Sequence, residues 1–144
     1  MSSKNLVANA ETLVHARIEK VWDALVNPDI IKKYMFGTTV ISDWKEGSQI
    51  VWRGEWKGKA YEDRGTLLKI IPLKLLQYSH YSPMTGLADV PENYHTVTIS
   101  LKEAGDQTLV SLSQDNNATE GDKEHSEQNW NMMLTGLKEL LEKH

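Results

Sequence analysis

The sequence has no cysteine, which excludes a disulfide, a Cys-ligated zinc and a thiol nucleophile. Phenylalanine occurs once, against five tryptophans and five tyrosines, so nearly all of the aromatic bulk carries an N–H or O–H. No apolar run approaches the ~20 residues that cross a bilayer. The opening MSSKNLVANAETLV lacks the apolar centre of a signal peptide, and the expectation is a soluble, cytoplasmic protein. Sixteen Lys and Arg against 20 Asp and Glu leave a net charge of −4. The densest basic run is Lys32-Lys33, too little for a nucleic-acid partner, whose phosphates need concentrated positive charge. No Gly-rich loop precedes a helix and no Gly-x-Ser-x-Gly elbow is present, so neither phosphate binding nor serine catalysis finds a motif.

What is present suits one domain over residues 1–144, with only residues 1–5 fraying. Its 40% hydrophobic and 25% charged content is ordinary for a globular chain. The clearest pattern lies between Asp122 and His144. Trp130, Met133, Leu134, Leu137, Leu140 and Leu141 follow helical spacing and form one stripe. Near the start, Ile18, Val21, Trp22 and Leu25 share a helical face that Asn27-Pro28 ends. Pro28 then opens a second short helix over 29–35. From residue 38 the period changes to two. Strands are expected over 6–16, 38–44, 49–56, 59–71, 75–81, 94–102 and 107–115, with a bend at Gly65. Hairpin-length connections make the sheet antiparallel. The striped helix needs a sheet to cover it. The expected fold is therefore α+β: six or seven strands curved around a long C-terminal helix, with a cavity between them.

Alternation places Ile50, Trp52 and Trp56 on one face of their strand, Leu76, Tyr78 and His80 on another, and His95, Val97, Ile99 and Leu101 on a third. The candidate ligand-binding residues are Trp52, Trp56, Tyr78, His80, His95, Val97, Trp130, Met133 and Leu137, with His80 and Tyr78 as polar anchors. These side chains either fill the core or line a pocket that suits a small amphipathic molecule. His80 and His95 also offer acid–base groups. They meet if their strands pair, a register the sequence leaves open. His80, His95 and His125 with Asp63 or Glu62 have no metal-motif spacing, so no metal and no cofactor is expected. The 82–93 segment, with two prolines and a glycine, reads as a loop over one cavity mouth, with Tyr81, Met84 and Leu87 as gate residues. Asp29, Lys32 and Lys33, with Lys57 and Lys59, are either a partner-binding face or a solvated surface.

Three stretches carry a resemblance. They are Ile18-Glu19-Lys20-Val21-Trp22-Asp23-Ala24-Leu25 with Asn27-Pro28 and Tyr34; Gly65-Thr66-Leu67-Leu68-Lys69-Ile70-Ile71-Pro72 running into Leu75-Leu76-Gln77-Tyr78; and Asn129-Trp130 through Leu134 to Leu137-Lys138-Glu139-Leu140-Leu141. In this order the chain resembles the helix-grip fold of the START-like superfamily. Within it, the chain is most similar to the group named after the C-terminal domain of the activator of the Hsp90 ATPase. Ile18 stands where such sequences often have proline. The matching stretches are helix, turn and packing signatures, not catalytic ones. The resemblance implies a deep cavity between sheet and last helix. Members of the family bind small hydrophobic molecules, act as co-chaperone modules on a protein partner such as an Hsp90-class ATPase, or in a few cases are enzymes. The leading expectation here is non-catalytic binding of a small hydrophobic molecule, with the co-chaperone role and an enzyme using His80 or His95 as acid–base on a cavity-bound ring substrate as alternatives.

Overall fold

A computed structural model describes residues 6–56, 58–83 and 86–142. The start expected to fray, residues 1–5, lies outside them, as do Lys57 and Met84. Strand β1 is Leu6–Val14, helix α1 is Ile18–Val26 and helix α2 is Pro28–Tyr34. Helix α1 buries Ile18, Val21, Ala24 and Leu25, the face its spacing dictates. The Asn27 side chain accepts the Asp29 amide at 3.0 Å and caps α2. Pro28 takes the first helical position, where its missing N–H has no partner to lose.

Six more strands follow: β2 (Thr39–Ser42), β3 (Gln49–Trp56), β4 (Lys59–Ile71), β5 (Leu75–His80), β6 (His95–Ala104) and β7 (Gln107–Asn117). Helix α3, Glu120–Glu142, completes the chain. The strand expected over 38–44 is shorter because Trp44 turns the backbone at φ +56. Helix α3 starts two residues before Asp122. The Thr119 hydroxyl accepts the Asp122 amide at 3.0 Å, an N-cap that starts the helix earlier than the apolar stripe indicates.

The sheet has seven strands in the order β1-β7-β6-β5-β4-β3-β2, every pair antiparallel. Strand β4 carries its curvature. Its first half pairs with β3 and its second half with β5. At the junction sits Gly65, where an added Cβ would lie 1.7 Å from the Ser79 carbonyl oxygen. Only glycine lets the two strands approach so closely at the bend. A register shift between Leu67 and Lys69 bends the strand further.

Helix α3 buries Met133, Leu134, Leu137 and Leu141 against the concave face. Trp130 and Leu140, from the same stripe, are only partly covered. Leu67, Leu76, Val97, Ile99, Val110 and Leu112 meet the helix side from the sheet, and Val21, Leu25, Ile31 and Tyr34 close one end. Helix α3 also covers the free edge of β1. The Glu127 carboxylate accepts the Asn9 amide at 3.0 Å, that of Glu142 accepts the His15 amide at 2.8 Å, and Lys138 Nζ donates to the Leu13 carbonyl at 2.9 Å. Unpaired backbone groups of an edge strand are thereby satisfied within the chain.

Candidate functional site

The inner face of the sheet carries a row of polar and aromatic side chains running across four strands. Trp52 of β3 is the cross-strand partner of Asp63 in β4, and His80 of β5 is the partner of His95 in β6. The register that the sequence leaves open thus puts the two histidines directly opposite each other. The Trp52 ring lies 5.1 Å from that of Tyr78 and 4.9 Å, edge to face, from that of His80.

Hydrogen bonds fix the histidine rings. His80 Nε2 is 3.0 Å from Asp63 Oδ2, and His95 Nδ1 is 2.8 Å from the Asp115 carbonyl oxygen. A carboxylate and a carbonyl only accept, so the neutral rings turn their N–H groups to these partners. The ring nitrogens His80 Nδ1 and His95 Nε2 take no part in these two bonds. Opposite them, Trp130 Nε1 of α3 donates to Gln114 Oε1 at 2.5 Å, and Gln114 Nε2 reaches Ser126 Oγ at 3.3 Å. Gln114, itself buried, ties β7 to α3 at the cavity wall.

Between the sheet and α3 lies a cavity of about 390 Å3, within the roughly 300–1,000 Å3 typical of ligand sites. His80, His95, Gln114 and Asn129 supply polar groups; Met35, Phe36, Leu87, Trp130 and Met133 supply apolar surface. Two recesses share these walls. One, of about 30 Å3, runs past Met35, Trp52, Tyr78 and Met133. The other, of about 70 Å3, is bounded by Thr38, Trp52, Tyr61, Asp63, Tyr78 and His80, with Met35 and Trp130. Burial pushes the Tyr78 hydroxyl well above the usual tyrosine range. Burial, with Tyr78 nearby, does the same to Tyr34, whose hydroxyl donates to the Ala24 carbonyl at 2.7 Å. Both stay protonated.

The model of the family described as activator of Hsp90 ATPase homolog 1-like protein matches residues 15–142. The chain belongs to this family. The protein ChR145 from Cytophaga hutchinsonii, solved in solution, is 63% identical over 99% of this chain and 97% of that one, with a TM-score of 0.86. A protein from Colwellia psychrerythraea, described as an Aha1 dimer, is 23% identical over 95% and 96% of the two chains, with a TM-score of 0.73. CalU16 from Micromonospora echinospora is 19% identical over 99% and 87%, with a TM-score of 0.72. The last two share the fold with this chain. No curated protein matches the sequence.

In this member of the family the expected site residues divide. Trp52, Tyr78, His80, His95, Trp130 and Met133 line the cavity or its recesses. Val97 and Leu137 are fully buried in the core cluster and do not line the cavity. The Trp56 side chain lies outside the described residues. The 82–93 loop borders the mouth through Ser82, Leu87 and Asn93. Of the expected gate residues, Tyr81 is buried and donates to the Leu87 carbonyl at 2.6 Å, and Met84 lies outside the described residues. Arg64 and Tyr94, both hydrogen-bonded to Asp89, pin the loop down. Lys32, Lys33 and Lys59 are exposed. Among the described residues no group of three or more His, Asp or Glu converges as a metal site, and no helix is long and apolar enough to cross a membrane.

The sequence reading missed Gln114, Phe36 and the role of Asp63. Gln114 continues the alternation of Val110 and Leu112, so period two alone points it inward. Asp63 shares the parity of the buried Leu67 and Gly65. Phe36 had no signal. It is 70% exposed at the cavity mouth, with the left-handed φ of +57, a conformation that is strained for an aromatic residue and marks functional segments.

Proposed function

We propose that this protein binds a small, largely apolar molecule in the cavity between the sheet and α3, without transforming it. The observation that carries this reading is the 390 Å3 space walled by Met35, Phe36, Leu87, Trp130 and Met133, with hydrogen-bonding groups gathered on its sheet side. A bicyclic ligand burying on the order of 250 Å2 of apolar surface gains about 6 kcal/mol before ordering costs. That corresponds to a Kd of tens of micromolar or weaker. Native mass spectrometry of the purified protein beside a denatured control tests it, together with thermal shift against a panel of lipids and aromatics. A co-purified molecule, or a ligand that raises Tm, supports cavity binding. An empty spectrum with no shift sinks it.

A second reading, catalysis on a cavity-bound ring substrate, draws on the Asp63–His80 hydrogen bond at 3.0 Å. A base oriented by a carboxylate is the arrangement that proton transfer uses. Turnover with a bell-shaped pH profile, lost in His80→Gln, is its signature.

A further inference from the structure

We infer that the 70 Å3 recess selects ligands carrying a protonated amine, whose apolar ring body occupies the main cavity. This rests on the cavity-binding reading and specifies the chemistry of its ligand. Among the described residues, no lysine or arginine lines the cavity or either recess. Asp63 is the one carboxylate that the described residues place in those walls. An anionic ligand would meet no cationic Lys or Arg partner there, and a cation would meet a fixed negative group.

The recess also holds an acceptor that no donor meets. Asp63 Oδ2 is engaged by His80, but Asp63 Oδ1 is buried and has no hydrogen-bond partner among the described residues. A buried carboxylate oxygen without a donor is costly and calls for a partner. The adjoining wall adds the Tyr78 hydroxyl, for which no hydrogen bond occurs among the described residues, and the hydroxyls of Tyr61 and Thr38, which are 2.6 Å apart. An ammonium brings three N–H donors and no acceptor, and these oxygens match that set. Trp52, Tyr61 and Tyr78 add aromatic side chains to the wall. The recess is too small for a ring but has room for an aminomethyl group. The main cavity adjoins it across Met35, His80 and Trp130.

Three probes with one ring body separate the alternatives: 2-(1-naphthyl)ethylamine, 2-(1-naphthyl)ethanol and 1-naphthylacetic acid, each titrated by calorimetry at neutral pH. The expected order is amine, then alcohol, then acid, with the amine at least ~10-fold tighter than the alcohol, as a charge-assisted hydrogen bond provides. Asp63→Asn, shown to be folded by its amide NMR spectrum and urea midpoint, should reduce that preference to near unity. Amide NMR on the wild-type protein gives an independent readout, since only the amine should shift Tyr61 and Asp63. Equal affinities, or an acid that binds best, overturn the amine assignment while leaving cavity binding standing. If none of the three binds, both fall. An amine preference that survives in a folded Asp63→Asn protein, with no shift at Tyr61, also overturns the assignment.

Discussion

At the scale of single residues, conformation and packing decide what each position tolerates. Gly65 admits no side chain, because the Ser79 carbonyl oxygen occupies the place of a Cβ. Gly65→Ala should therefore cost at least the upper end of the ~1–3 kcal/mol of overpacking, read from the urea midpoint. Leu137, fully buried under the sheet, has only the ordinary core role. Leu137→Ala should cost about 2–5 kcal/mol. Phe36 is the opposite case. Its left-handed backbone suits glycine, so Phe36→Gly should gain about 1 kcal/mol in the same measurement. Because Phe36 lines the cavity mouth, that variant should also bind 2-(1-naphthyl)ethanol more weakly. Stability and binding moving in opposite directions would identify Phe36 as a residue held in strain for the site.

At the scale of elements, the clasp of α3 on β1 is electrostatic as well as apolar. The hydrogen bond from Lys138 first, and then that from the His15 amide, hold the Glu142 carboxyl below the usual range. The Asn9 amide first, with Lys123 contributing, does the same for Glu127. A carboxyl whose folded pKa is depressed binds its proton more readily in the unfolded chain. Its contribution is thus complete above the unfolded value of about 4.3 and fades as pH falls through the folded value. The amide NMR shifts of Asn9 and His15 should follow this titration, with midpoints below about 4.3. Glu142→Gln should remove the His15 titration and leave that of Asn9. Unchanged shifts down to the acid transition would show that the clasp does not form in solution.

At the scale of the whole molecule, the question is whether the cavity or the outer surface carries function. Asn129 of α3 is exposed and lines the cavity. Asn129→Trp should place a ring in the opening, abolish naphthylethanol binding and leave unfolding free energy within about 0.5 kcal/mol. Lys32 and Lys33 stand on the outer face of α2. Reversing both charges should leave probe binding intact. If a protein partner exists through this face, it is these changes, not Asn129→Trp, that would disrupt a pull-down.

The same scales separate what was legible in the chain from what was not. The apolar stripe from Met133 to Leu141 and the Asn27-Pro28 stop depend on neighbours within one or two turns. They appear in the sequence because helical period and capping are local. The alternation Leu76-Tyr78-His80 and the glycine at the β4 bend are equally local, and with the family stretches they determined the helix-grip architecture. Which inward residues bound empty space is another matter. Val97 and Tyr78 are buried cross-strand partners, yet one fills the core and the other faces a recess. That difference depends on where α3 lies over the sheet. Likewise, register alone sets His80 opposite His95, and strand packing alone gives the Asp63 carboxylate to a histidine on one oxygen and leaves the other bare. Side-chain period is a property of a few consecutive residues, so the elements and their inward faces are encoded locally along the chain. Voids and polar partners come from segments far apart in the chain, and they exist only once those segments pack together.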